Sequence, residues 1–325
     1  MTPLESILIV KPSSLGDVVH TLPALHLLKR AHPQASISWL VNTEWAPLLQ
    51  GNPDLNRVIE FPRNQFRGPS GMLRLKQWLS QVDLPRPDLA LDFQGLARSA
   101  LLGKFSGARR LHCLGDAELS ARMMADRVVP AQRNLEHSVL RYLRLISDLG
   151  IPVVRPLTFS LPQGDPPSGF NSSIPFLLIH PFSRGKGKSL SLEHLSRLCK
   201  LLAPIRIVVV GRSEATFEAD CVNLCNQTSL PELIWLIRKA SFIISVDSGP
   251  MHIAAAITDR LLGIHTWSDP RLVGPCNPEA SIWKNGAFMQ FKDLPSSPMQ
   301  GGRDILPEDL PAIADYCRAR LGFEK

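Results

Sequence analysis

Short apolar runs alternate with helix-like segments along almost the whole chain, and the alternation stops once and then restarts. Strands separated by helical crossovers require a parallel sheet covered on both faces. In the first half, strands are expected at Ile7–Val10, Ser36–Val41, Arg57–Phe61, Asp88–Phe93 and Ala108–Cys113. Helices are expected at Val18–Arg30, Thr43–Gln50, Gly71–Gln81, Leu96–Lys104 and about Leu135–Leu149. Prolines then crowd the chain at 152, 156, 162, 166, 167 and 175. Proline sustains neither a helix interior nor a central strand, so this stretch reads as a linker. Beyond it, strands are expected at Phe176–His180, Ile205–Val210, Phe242–Val246 and Arg260–His265. Helices are expected at Leu192–Leu202, Leu230–Ala240, Gly249–Ile257 and Pro307–Leu321. The fold class is therefore α/β, with two doubly wound, Rossmann-like halves: residues 1–155, a linker 156–175, and residues 176–306. A length of 325 residues suits two cores better than one.

The formal net charge of +7 favours an anionic partner, whether a phosphorylated substrate, an acidic membrane surface or nucleic acid. Only two tyrosines occur in the whole chain, which argues against stacking on single-stranded nucleic acid. The six cysteines are scattered, with no paired spacing that would complete a zinc site. Free thiols in a reducing compartment are expected. No signal-peptide pattern and no membrane-length apolar run is visible.

Four segments carry candidate chemistry. The first is Lys11-Pro-Ser-Ser-Leu-Gly-Asp17, between the first strand and the first helix. Ser13, Ser14 and Gly16 offer hydroxyls and backbone N–H groups there, and Asp17 is placed either to cap the helix or to act as a base. The second, His180-Pro-Phe-Ser183-Arg-Gly-Lys186-Gly-Lys188-Ser189, is a basic glycine loop suited to a diphosphate. It is not a P-loop, because Phe182 stands where that motif needs glycine. The third is Asp247-Ser248-Gly249-Pro250-Met251-His252, which opens a helix rich in small residues. Proline in the first turn and the helix dipole suit a phosphate, and Asp247 suits sugar hydroxyls. The fourth is a basic set in the first half: Arg63, Arg67, Arg74, Lys76, Arg133, His137, Arg141 and Arg144.

These segments resemble the signatures of glycosyltransferase family 9, the ADP-heptose:lipopolysaccharide heptosyltransferases. The resemblance rests on the opening Lys11–Leu25 segment, on Asp92-Phe-Gln-Gly-Leu-Ala-Arg-Ser99, and on Ser245–Ala256 with Ser268-Asp-Pro270 after it. It implies a GT-B fold, in which two Rossmann-like domains face each other across a cleft and the helix 307–321 packs back on the first domain. It implies inverting transfer of heptose from ADP-heptose to the Kdo–lipid A inner core, with no metal required.

By the same resemblance, Asp17 is the general base and Lys188 assists departure of the diphosphate. Donor contacts fall to Ser13, Ser14, Gly16, Ser183, Lys186 or Lys188, Asp247, Ser248, Gly249, Pro250, Met251 and His252. Acceptor contacts fall to Arg63, Arg67, Gln94, His137 and Arg141. A ribose contact falls to Glu214, Glu218 or Glu232. A cytoplasmic monomer at the inner face of the inner membrane, binding no nucleic acid, is expected. Two other readings stay open: a family 9 transferase with another donor or a later core acceptor, and a catalytically silent nucleotide-sugar binder.

Overall fold

The computed structural model describes residues 4–68, 70–132, 136–185, 187–299 and 301–323, with Met72 described by its backbone alone. Lys186, Arg133 and Leu135, singled out above, lie outside the described residues. The chain divides into two units, Met1–Pro162 and Gln163–Lys325, the boundary falling inside the proline-rich segment.

In the first unit, β1 (Ser6–Val10), β2 (Ser36–Asn42), β3 (Arg57–Phe61), β4 (Leu89–Asp92), β5 (Leu111–Leu114) and β6 (Arg127–Val129) form one sheet. Its order is β3-β2-β1-β4-β5-β6, and every pairing is parallel. Ile7 to Val10 are all buried, as a central strand covered on both faces demands. The crossovers are α1 (Leu15–Ala31), α2 (Gly71–Gln81), α3 (Ala97–Phe105) and α4 (Leu119–Met124), and α5 (Ser138–Asp148) follows β6. One face of the sheet packs Trp78 of α2, Ala100 and Leu102 of α3, and Ala121 of α4 into a common core. α1 packs against α5. The expected helix at 43–50 is a 3-10 helix, Thr43–Leu49, with Pro47 inside it. A proline has no N–H to give an α-helical bond at that point.

The second unit repeats the pattern. β7 (Leu177–His180), β8 (Ile207–Val209), β9 (Val222–Asn223), β10 (Phe242–Val246), β11 (Leu261–Ile264), β12 (Ser281–Lys284) and β13 (Ala287–Gln290) run in the order β13-β12-β11-β10-β7-β8-β9. β13 is antiparallel and the other pairings are parallel. The helices are α6 (Leu192–Leu202), α7 (Leu230–Lys239), α8 (Gly249–Ile257), α9 (Pro270–Val273) and α10 (Asp309–Arg320).

The placement expected for the last helix is corrected. Leu310, Ile313, Ala314 and Cys317 of α10 are buried in the core of the second unit, with α6 as its packing partner. An apolar stripe already covered there leaves α10 a helix of its own unit rather than a return to the first.

Candidate active site

Both sheets reverse their strand order at one place, between β1 and β4 in the first unit and between β7 and β10 in the second. In open α/β sheets, ligands bind beyond the carboxyl ends of the strands at such a point. The segments Lys11–Asp17 and Asp92–Gln94 leave the first switch point, and His180–Ser189 and Asp247–His252 leave the second.

At the first, Ser14 is the N-cap of α1 and Asp17 is its third residue. The Asp17 carboxylate closes a capping box: Oδ2 accepts from the Ser14 N–H at 3.0 Å and from the Ser14 hydroxyl at 2.7 Å. Its other oxygen, Oδ1, accepts from the Tyr142 hydroxyl at 2.6 Å and lies 4.0 Å from Lys11 Nζ. Burial alone would raise the Asp17 pKa. The Lys11 charge and the bonds from Tyr142 and Ser14 outweigh it and hold the carboxyl below its usual range. Asp17 is thus ionised at neutral pH while its side chain stays 35% exposed. Capping and proton acceptance are compatible, because each oxygen keeps a further lone pair.

Lys11 and Tyr142 are the residues that sequence reading left without a role. Lys11 is buried, donates to the Phe93 carbonyl at 3.3 Å and lies over the Tyr142 ring. Burial lowers its pKa to about 8, against the pull of Asp17 and Asp92. Asp92 is fully buried and pushed up to about 6 by desolvation, although the amides of Gly95 and Gln94 and the Ser99 hydroxyl donate to it. A lysine directly after a central apolar strand is the signal that marks Lys11. Tyr142 has no local signal, because it reaches Asp17 across 125 positions.

The other residues of the opening motif are close by. Gln94 Oε1 accepts from the Ser13 N–H at 3.1 Å, which ties the β4 loop to the β1 loop. Gly16 is buried within the first turn of α1.

The basic set behaves differently. Arg141 is paired with Asp116 at 2.5 Å and lies over the Tyr142 ring, and Arg144 pairs with Glu136 at 2.6 Å. His137 is buried and caps α5, accepting from the Val139 N–H. Arg63 and Arg67 are exposed, with Arg63 on the 3-10 helix Arg63–Phe66 and Arg67 just after it. Arg74 holds that loop by donating to the Arg67 carbonyl.

At the second switch point, Lys188 Nζ donates to Asp247 Oδ2 at 2.6 Å. Ser183 donates its hydroxyl to the Asp247 carbonyl at 3.0 Å, so the basic loop is fastened to the end of β10. Asp247 is buried. Burial favours its neutral form, but His265, Lys188 and Ser268 together hold the carboxyl below the usual range. His265, with Nδ1 3.0 Å from the Ser268 hydroxyl, is fully buried and pushed down to about 4, so it is neutral.

Ser248 is the N-cap of α8 without a side-chain capping bond; its hydroxyl lies 3.1 Å from His180 Nδ1. Gly249 and Pro250 form the half-buried start of the helix and His252 is buried. Met251 is wholly buried, and its sulfur lies against Gly263. Glu232 is the acid of a capping box on Ser229 of α7, which is a local role for one of the expected ribose contacts. Among the described residues, no group of three or more His, Cys, Asp or Glu side chains is gathered as a metal site.

Two mainly parallel Rossmann-like units, with candidate polar residues at the switch point of each, are the fold of the GT-B class of glycosyltransferases. The profile of glycosyltransferase family 9 (heptosyltransferase) matches residues 72–297, and the chain belongs to that family. The Haemophilus influenzae lipopolysaccharide core heptosyltransferase OpsX is 23% identical over 94% of this chain and 93% of its own length. The Escherichia coli K12 lipopolysaccharide heptosyltransferase 1 is 26% identical over 82% of this chain and 90% of its own. The solved structure of E. coli heptosyltransferase WaaC with ADP matches with a TM-score of 0.71 at 24% identity, over 85% of this chain and 92% of that one. That of E. coli ADP-heptose lps heptosyltransferase II gives 0.73 at 22%, over 97% and 98%.

Proposed function

We propose that this enzyme transfers L-glycero-D-manno-heptose from ADP-heptose to the Kdo–lipid A inner core of lipopolysaccharide, with inversion at the anomeric carbon. The observation that carries the reading is Asp17, a carboxylate kept ionised by Lys11, Tyr142 and Ser14 yet still one-third exposed. It takes the proton of an acceptor hydroxyl as that oxygen bonds to the anomeric carbon. The bond from that carbon to the diphosphate oxygen breaks, and its electron pair leaves with ADP. Lys188 and the first turn of α8 stabilise the charge that develops there. Asp247, buried beside Lys188, accepts from donor hydroxyls. Support for the donor comes from the likeness to E. coli ADP-heptose lps heptosyltransferase II, and support for a lipopolysaccharide acceptor from relatives such as lipopolysaccharide heptosyltransferase 1.

Among the described residues, no helix is long and apolar enough to cross a membrane. A lipid-borne acceptor therefore puts the work at the surface of the inner membrane. The Haemophilus influenzae lipooligosaccharide heptosyltransferase 2 is 24% identical over 85% of this chain, so addition of a later heptose is the second reading.

The test is a mass-spectrometric assay of the purified protein with ADP-heptose and a panel of core acceptors. Heptose added to Kdo–lipid A upholds the first reading, and addition only to an already heptosylated core replaces it with the second. Asp17→Ala is expected to abolish transfer while donor affinity stays within about threefold. Undiminished turnover in that variant would remove Asp17 from the role of base.

A further inference from the structure

Packing leaves one apolar face of the first unit uncovered. α3 and α4 lie side by side and parallel: Glu118, just before α4, accepts from the Ala97 N–H at the start of α3 at 2.8 Å. At the other end, Lys104 of α3 pairs with Asp126, just beyond α4, at 2.9 Å. Their inner faces carry Ala100, Leu102 and Ala121 into the core. Their outer faces carry Leu101 and Phe105, one turn apart on α3, and Leu119 and Met123, one turn apart on α4. These four side chains are 43%, 59%, 64% and 78% exposed. Single exposed apolar residues are ordinary on a protein surface, whereas four on two touching helices form a patch.

The two helices themselves are basic, and the nearest acids, Glu118 and Asp126, lie just beyond their ends on the Ala97 N–H and on Lys104. Neither α3 nor α4 contains an acidic residue. Arg98 and Arg122 stand exposed on the same two helices. Apolar side chains beside exposed arginines match the layered chemistry of an anionic bilayer surface, with acyl chains below and phosphates above. α3 also begins directly after the β4 loop whose Gln94 accepts from the Ser13 N–H. The starts of α3 and α4, with Leu119, therefore lie toward the sheet edge that bears Asp17.

We propose that the outer face of α3 and α4 docks this unit onto an anionic phospholipid surface, with Leu101, Phe105, Leu119 and Met123 entering the interface and Arg98 and Arg122 meeting phosphates. The use of the docked state rests on the lipid-acceptor reading above, whereas lipid binding itself does not.

The experiment is flotation of the full chain with vesicles of phosphatidylethanolamine and phosphatidylglycerol, run beside vesicles of phosphatidylcholine alone. The chain is expected to float with the anionic vesicles, less so as salt rises, and weakly with phosphatidylcholine. Phe105→Ser with Met123→Ser lowers partitioning by about tenfold. Arg98→Gln with Arg122→Gln lowers it and flattens its salt dependence. Both variants keep the thermal unfolding of the parent and its transfer to a detergent-dispersed acceptor, because the altered side chains lie outside the core. Equal flotation of parent and variants overturns the proposal. So does a parent dimer that fails to float and that the apolar substitutions dissociate, since the patch is then a contact between copies. A parent that floats but transfers no heptose upholds docking and sinks the acceptor reading instead.

Discussion

Replacing Tyr142 with phenylalanine removes a single oxygen from a buried ring and tests how Asp17 is held ionised. The lost bond runs at 2.6 Å to a charged acceptor, and hydrogen bonds of that kind are worth about 1.5–3 kcal/mol. The Asp17 side chain is 35% exposed, so water replaces part of the lost solvation. The low end of the range applies, about 1.4 kcal/mol or one pKa unit. The sign follows from Asp17 lying below the usual carboxylate range: losing a donor moves it upward, so the base is protonated at higher pH. The acid limb of the pH profile of kcat/KM should therefore shift up by about one unit. The plateau rate should hold or rise slightly, because a more basic carboxylate accepts a proton more readily.

Linkage gives an independent readout. A depressed folded pKa contributes stability above the unfolded carboxylate value, about 3.9, and that stability is lost as pH falls. The variant should be less stable than the parent at neutral pH, and the gap should narrow in acid. Steady-state rates with ADP-heptose between acid and neutral pH, with denaturant melts over the same range, measure both. A folded variant whose acid limb does not move would refute the assignment of Tyr142 as the residue that holds Asp17 ionised, and a lost plateau would give Tyr142 a different role.

Lys188→Ala leaves Asp247 buried without its 2.6 Å partner. Donor affinity measured by calorimetry should fall by at least about tenfold, and an unchanged value would move the phosphate site elsewhere. Lys11 is lowered to about 8 from 10.5, so between those values the unfolded chain holds the proton that the folded chain has released. Parent stability should rise with pH across that window by up to about 3 kcal/mol, and denaturant melts of Lys11→Met should lack that rise. Glu232→Ala removes one arm of the α7 capping box and should cost about 1 kcal/mol with donor affinity intact. A large loss of donor affinity would return Glu232 to the ribose.

Local pattern made the strand–helix–strand order readable. Ile7–Val10, Arg57–Phe61, Phe242–Val246 and Leu192–Leu202 each carry either a continuous apolar run or helical periodicity over their own few residues. The elements that escaped are short. α4, β6, β9, α9, β12 and β13 span two to six residues each, too few for a period of 3.6, or for an alternation, to stand out. β12 and β13 are held by pairing to each other and to β11, a contact with no trace in their own residues. In the site, the motif residues Asp17, Ser183, Lys188 and Asp247 were legible because turn chemistry is local. The pairing of the basic helix face was not legible: Arg141 and Arg144 meet Asp116 and Glu136, which lie outside the stretch that a local pattern covers.

The sequence by itself determined the two-unit α/β architecture, the family and the loops where chemistry sits, since each depends on residues within a turn or a strand of one another. Tertiary structure alone decided what Asp17 is. Its ionisation depends on Lys11, six positions away on a buried strand end, and on Tyr142, brought across 125 positions by the packing of α5 on α1. Electrostatic tuning acts through space at a few ångströms in a partly desolvated site. Distance along the chain carries no record of it.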